Sequence, residues 1–350
     1  MSESKEHGRP AHGAHHHCHC CSVSRRCFLG AAAGAAGAAA LGAASVSAAT
    51  QKELGEYVDI NQFRPKPEVR IALVTVRQTP PYWLGWPGAA YDVEGMRAKY
   101  TTDCVQMGDR LGVKVTPVER PVESDEAAAA TVKKLQAEKP DAILVLMQHL
   151  STWKWADALT QAGIPTIIFS PVGTSFTHHT LEISRRPGVC VMSTLELDAI
   201  AQAIRMVRAK RQFEETRLLV VRGEERKESV LENLGTTVRY VPRRTLHELF
   251  AQMPETDETR EVAKSMFEAA DKVVEPNDTD GRNAARSYQT AKQLLKREGS
   301  NALTTDCLGM VREHHVPTPP CMAAALFQDS GVTYGCEADV FGAMSLMLTS

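Results

Sequence analysis

Asp141-Ala142-Ile143-Leu144-Val145-Leu146-Met147 is the stretch on which the fold turns. After its leading aspartate it runs apolar without the in–out alternation of a half-wet strand, which matches a strand buried on both faces of a parallel sheet. Working outward, Ser124 opens a helix over Asp125 to Glu138, and Pro140 stands just past its end. A helix over Trp153 to Ala162 stops at Gly163, and Thr166-Ile167-Ile168-Phe169 makes the next strand. Upstream, Val69 to Val76 reads as a buried strand, Asp92 to Leu111 as a helix closed by Gly112, and Val113 to Thr116 as a strand. Strands alternating with helices at this spacing predict an α/β fold with open, mostly parallel sheets flanked by helices.

The pattern resumes with strand Val189 to Met192 and an amphipathic helix from Leu195 to Arg211. Leu218 to Val221 and Val238 to Val241 are strand-like, and Thr245 to Met253 is helical. Two further helices, Thr259 to Val274 and Asn283 to Arg297, flank a turn-rich Pro276 to Gly281. A Pro-, Gly-, Thr- and His-rich stretch over 171–190 suggests a domain boundary. The expected organisation is a first α/β domain over 67–175 and a second over 176–350, preceded by a polar lead-in over 49–66.

Residues 1–48 read as an export signal. Ser24-Arg25-Arg26-Cys27-Phe28-Leu29 is a twin-arginine pattern, followed by a weakly apolar Ala/Gly run and the small residues Val46-Ser47-Ala48 at a cleavage site. This predicts export through the twin-arginine pathway to a periplasmic or other extracytoplasmic location, with membrane contact only during export. The metal-like run His15-His16-His17-Cys18-His19-Cys20-Cys21 lies upstream of the arginines and reads as a polar tail rather than a functional site.

The whole chain has 40 basic and 42 acidic residues. The leader holds Lys5, Arg9, Arg25 and Arg26 against Glu3 and Glu6, so residues 49–350 carry 36 against 40, a net of −4. No basic surplus points to nucleic acid. The cysteines beyond the leader, Cys104, Cys190, Cys307, Cys321 and Cys336, are odd in number and scattered, which argues against a disulfide framework.

Ligands of such sheets bind beyond the carboxyl ends of strands. The loops to watch are Arg77 to Trp86, Gln148 to Trp155 and Pro171 to His179. All four tryptophans lie in the first two. Their faces suit either the C–H faces of sugar rings or an interface between subunits or domains. No Gly-rich phosphate loop follows any strand. Near the end of the chain, Gly335-Cys336-Glu337-Ala338-Asp339-Val340 places two carboxylates at i, i+2 between a short apolar run and a helix over Val340 to Leu348. At a strand's end they would share a face and converge on one ion or substrate; alternatively Asp339 caps the helix.

Lys139 to His149 with Ser151-Thr152-Trp153-Lys154-Trp155 resembles the N-terminal strand and site-facing loop of the L-fucose and L-arabinose isomerases. Leu303-Thr304-Thr305-Asp306-Cys307-Leu308, Pro320-Cys321, Asp329 to Val332 and Gly335 to Ala343 resemble their central catalytic segment. The resemblance implies two stacked α/β domains, a homo-oligomer, a divalent ion of manganese type, and aldose–ketose isomerisation through an enediol. By that carry-over Glu337 is acid/base and metal ligand, Asp339 a metal ligand, and His149, Trp153 and Asp306 face a monosaccharide substrate. The segment Cys321 to Leu326, where the fucose enzymes keep a basic glutamate, holds no acid. The family's C-terminal β-domain would also follow Ser350, so the resemblance implies a truncated member. The alternative reading is a non-catalytic sugar-binding or remnant protein of the same fold.

Overall fold

The computed structural model describes residues 51–79, 92–171 and 173–349. Strands β1 (Arg70–Val76), β2 (Lys114–Pro117), β3 (Ala142–Met147), β4 (Thr166–Phe169) and β5 (Val189–Met192) form a first sheet in the order β2-β1-β3-β4-β5. Every neighbouring pair in it is parallel. Its helices are α1 (Val93–Arg110), α2 (Asp125–Glu138), α3 (Trp153–Thr160) and α4 (Asp198–Glu214).

Alternate residues of β3 face opposite layers, which explains its uninterrupted apolar run. Ala142, Leu144 and Leu146 pack with Cys104 and Met107 of α1 and with Ile200, Ile204 and Val207 of α4. Ile143, Val145 and Met147 pack with Ala128 and Leu135 of α2 and with Trp153, Ala156 and Leu159 of α3. A strand wet on one face would have shown period two; this one is dry on both.

The second sheet contains β6 (Arg217–Val221), β7 (Lys227–Leu231), β8 (Thr236–Val241), β9 (Ala302–Thr305) and β10 (Tyr334–Gly335), in the order β10-β9-β6-β8-β7. Only β7 runs antiparallel. With that edge strand set aside, the parallel strands follow the same spatial order as the first four of the first sheet. Both sheets therefore reverse winding direction beside their first strand, at β1/β3 and at β6/β9. The second sheet's helices are α5 (Arg243–Gln252), α6 (Asp257–Ala269), α7 (Asp278–Glu298), α8 (Cys307–Arg312), α9 (Cys321–Asp329) and α10 (Val340–Met347).

Three expectations about organisation are corrected. The expected boundary at 175/176 cuts through the first sheet, since β5 pairs with β4 and α4 packs on that sheet. The lead-in is no mere linker: Leu54, Val58, Ile60 and Phe63 belong to the core under Leu219, Val221 and Leu303 of the second sheet. Lys292 and Gln293 of α7 hold its main chain, Lys292 Nζ donating to Val58 O at 2.8 Å and Gln293 Nε2 to Glu56 O at 3.0 Å. The turn-rich 276–281 segment is in fact the start of α7. Asn277 accepts from Thr279 N at 2.8 Å, while Asp280 accepts from Asn277 N at 2.9 Å, a reciprocal cap.

The export signal of residues 1–48 lies outside the described residues, as do the loop positions Trp83 and Trp86. Among the described residues no helix is long and apolar enough to cross a membrane.

Candidate functional site

At the first switch point β1 ends in Val76 and the chain presents Arg77 and Gln78; β3 ends in Met147 and presents Gln148 and His149. Arg77 is positioned by its main chain, whose N–H donates to Val122 O at 3.1 Å, and that same pairing brings Glu123 alongside. Its guanidinium is nearly buried and is held between two carboxylates, with Nε donating to Glu123 Oε1 at 2.5 Å and Nη1 donating to Glu94 at the start of α1. Burial pulls the Arg77 pKa down, but the hydrogen bonds it donates to Glu94 and Glu123 outweigh it, leaving the group above its ordinary value.

His149 is buried, and its Nδ1 accepts from the Gln78 main-chain N–H at 3.2 Å. Burial, with the Arg77 charge adding to it, lowers the imidazole pKa, which fits a neutral ring with Nδ1 as acceptor. Gln148 is fully buried; its amide N–H donates to Val93 O at 2.7 Å, while its buried Oε1 has no hydrogen-bond partner among the described residues. Gln78 donates its side-chain amide to the exposed Ser151 Oγ. The site thus gathers hydroxyl, amide and imidazole groups around an arginine already balanced by two carboxylates. Such a set suits neutral hydroxyl-bearing molecules better than anions, since the site's buried cation is already paired with carboxylates. Ser151 is engaged by Gln78 and His149 by main chain, so no nucleophile–base pair is formed between them.

Trp153 is placed by α3 beneath this loop, only 5% exposed, with its indole N–H donating to Thr174 O at 2.7 Å and its ring stacked on His179 at 5.9 Å. It is a core residue that supports the loop and offers no free face to a sugar.

At the second switch point, Asp306 follows β9 and caps α8 by accepting from Gly309 N at 3.2 Å. Arg243 lies 3.6 Å from Asp306 and 2.9 Å from Glu313, and Glu313 in turn meets His315 Nε2 at 2.9 Å. The His315 ring lies 4.3 Å from that of His247. Burial first, then the neighbouring His315 and Arg243, pushes the His247 pKa down to about 4. Asp306 is therefore a cap and ion-pair partner, not a carboxylate open to substrate.

Glu337 and Asp339 do not form the expected pair. Glu337 and Ala338 both sit in left-handed backbone, at φ 59° and 53°, so the extended geometry that would align i and i+2 is absent. Asp339 caps α10, accepting from Gly342 N at 2.9 Å, and both acids are exposed. Elsewhere, the nearest acids and imidazoles gather around the Arg243 guanidinium, which opposes a cation. Among the described residues no group of three or more His, Cys, Asp or Glu is arranged to hold a metal ion. The residues present do not fit the expected manganese.

A depression of about 400 Å³ opens at the opposite, amino-terminal edge of the first sheet, lined by residues including Lys139, Asp141, Lys210 and Arg211. Its Arg211 is occupied by Asp141 at 3.1 Å, Glu214 at 2.8 Å and Glu215 at 3.0 Å, and the region is remote from either switch point.

No family model and no curated protein matches the chain. Among solved structures, an ABC sugar transporter subunit from Rhodobacter sphaeroides 2.4.1 is 13% identical over 75% of this chain and 90% of its own, with a TM-score of 0.23. A carbohydrate transporter from Acidothermus cellulolyticus 11B, in complex with myo-inositol, is 12% identical over 71% of this chain and 79% of its own, TM-score 0.23. An ABC transporter solute-binding protein from Agrobacterium vitis with bound allitol is 16% identical over 76% and 88%, TM-score 0.24. These scores fall well short of a common overall fold. The similar structures are sugar-transport proteins, not isomerases, and the segment that carried the isomerase resemblance folds as a left-handed turn and a helix cap. On that local geometry the assignments to that family, to isomerase chemistry and to a manganese site are corrected.

Of the expected substrate-facing residues, His149 stands at the first switch point beside the unpartnered Gln148 Oε1. Arg77, Gln78, Gln148 and Ser151 were overlooked individually although their loops were singled out. Their signal was a charged or amide residue standing directly after a wholly apolar strand.

Proposed function

We propose that this chain is an exported, non-catalytic sugar-binding protein that takes a neutral, polyhydroxylated ligand at the carboxyl ends of β1 and β3. The observation that supports it most is the buried Arg77, neutralised by Glu94 and Glu123, beside the unpartnered Gln148 Oε1. A ligand that displaces the groups covering it donates a hydroxyl to that oxygen, with the Gln78 and Ser151 side chains alongside. The twin-arginine leader supports export, and a monosaccharide is the expected ligand.

Isothermal titration of the purified protein with a panel of neutral monosaccharides and their reduced polyols tests this reading. At least one should bind with a micromolar Kd, and Gln148→Leu should weaken it tenfold or more by removing the acceptor. Glu337→Gln should leave the affinity unchanged. Binding that vanishes in Glu337→Gln but survives in Gln148→Leu would move the site to the other sheet, and no binding by any member at millimolar concentration would remove the reading. Light scattering on the same preparation tests the expected homo-oligomer.

A further inference from the structure

Three cysteines stand along the carboxyl edge of the second sheet. Cys307 begins α8 just past β9, Cys336 follows β10, and Cys321 begins α9. The first two are adjacent in space: Cys307 Sγ and Cys336 Sγ lie 3.1 Å apart, across 29 residues of chain. The sheet itself brings them together. Gly335 pairs with Thr304 in the parallel register of β10 on β9, Thr304 Oγ1 donates to Cys336 O at 3.3 Å, and Ala338 N donates to Thr305 O at 2.8 Å. Both cysteines thus leave the ends of hydrogen-bonded strands, with no loop to rearrange before the sulfurs meet. All five described cysteines are free, Cys307 being buried and Cys336 exposed.

We propose that Cys307 and Cys336 are a redox pair, closed to an intramolecular disulfide by exchange with a small disulfide of the glutathione class. The exposed Cys336 thiolate attacks one sulfur of the oxidant, forming a mixed disulfide and releasing one thiol. The Cys307 thiolate then attacks Cys336 Sγ and expels the second thiol. One disulfide is consumed and one formed, two protein thiols are oxidised, and two small thiols are produced, their protons coming from the protein thiols. Closing the bond joins the loop after β9 to the loop after β10, so it braces the edge at which Asp306 and Glu337 stand. The odd, scattered spacing of the cysteines in sequence gave no sign of this pair, because only the parallel register aligns them. The Cys336 S–H, donating to Cys307 Sγ and partly buried, is pushed up to about 11, which favours a slow reaction at neutral pH that quickens with base.

The full-length protein, first reduced and then treated with oxidised glutathione, is digested without reductant and mapped by mass spectrometry. The expected product is a linked pair of peptides carrying Cys307 and Cys336, lighter than their sum by two hydrogens. Its rate of formation should rise about tenfold per pH unit between neutrality and mild base, following the thiolate fraction. Closure of the long loop should raise the melting temperature by several degrees over the reduced protein. Cys336→Ser, at an exposed position, should abolish the cross-link and the thermal gain, and Cys321→Ser should keep both. Glutathione persisting as a mixed disulfide on Cys336, or Cys321 joined to Cys336 instead, would overturn the assignment.

Discussion

Arg77 and Glu123 meet at 2.5 Å across 46 residues of chain, because a single pairing between Val76 and Val122 extends the parallel edge of the first sheet past β2. The site at β1/β3 therefore depends on an ion pair that the sheet positions. Arg77→Leu should leave Glu123 without its cation and Glu94 with only Arg97, at 3.8 Å. Both acids keep some solvent contact, so the loss should be about 1–3 kcal/mol, read as a lowered urea midpoint. Ligand affinity should fall in the same variant. Retained stability would mean that the two carboxylates are solvated well enough to stand alone.

Lys292 is 1% exposed, with its ammonium on Val58 O at 2.8 Å and paired to Glu258, between the rings of Tyr57 at 5.0 Å and Tyr288 at 4.7 Å. Lys292→Ala removes the cation, orphans the Val58 carbonyl and leaves Glu258 in a mostly buried place. The expected cost is about 3–5 kcal/mol by chemical denaturation. Lys292→Met with Glu258→Gln, which removes both charges and keeps the volume, should recover much of that loss; a double variant as weak as Lys292→Ala would locate the effect elsewhere.

His247 supplies a pH dependence whose sign follows from its burial. Its folded pKa is lowered to about 4, below the unfolded value near 6.5. Between these values the unfolded chain binds a proton that the folded one does not, so stability rises with pH through that window and is lost on acidification. The full stabilisation relative to acid is present above the unfolded pKa and amounts to about 2 kcal/mol once the roughly 3 of the whole shift is discounted for solvent screening of a half-buried ring. Melting temperatures taken from pH 7 to pH 4 should fall more steeply for the native protein than for His247→Asn. Parallel slopes would exclude the assignment.

The turn before α10 separates structural from catalytic roles for the two acids that first drew attention. Asp339→Ala should cost about 1 kcal/mol through loss of the cap. Glu337→Gly should stabilise by up to about 1 kcal/mol, since residue 337 is held at a φ that glycine adopts freely. Neither change should alter ligand affinity in titration. A stabilised Glu337→Gly that also lost its ligand would restore a binding role to that carboxylate.

Close packing gives a further test at Gly108 in α1. A methyl group there would stand 2.7 Å from the Val113 carbonyl oxygen and 2.5 Å from Val115 Cγ2, the first of which is main chain and cannot rotate away. Gly108→Ala should lose about 1–3 kcal/mol despite alanine's better helix propensity, measured by thermal melting. A stabilised variant would show that α1 rides higher on β2.

Local chemistry made most of the fold legible. Helix Asp125–Glu138 announced itself through the Ser124 cap and the Pro140 stop, and β3 through its unbroken apolar run. What escaped had a physical cause in each case. Strand β7 is Lys227-Glu228-Ser229-Val230-Leu231, an exposed edge whose charges suit solvent and carry no apolar rhythm. The first turn of α7 is polar because it is capped, so Asn277 to Asp280 read as a loop. The boundary error came from treating a polar stretch as a linker when β5 still had to pair with β4. The site was only half legible: its loops follow from strand order, but the engagement of Arg77 by acids from two other elements is a property of tertiary register. Glu337 and Asp339 misled because spacing alone does not reveal a left-handed turn.

The lead-in residues Leu54 to Phe63 complete a core whose other walls include α7, and the Val58–Lys292 contact spans 234 residues. During vectorial synthesis, residues 54–63 therefore wait for α7 before they can dock. They stay untethered until that helix has been made. The docked state of the residues near Leu54 is then a sign that folding has reached α7.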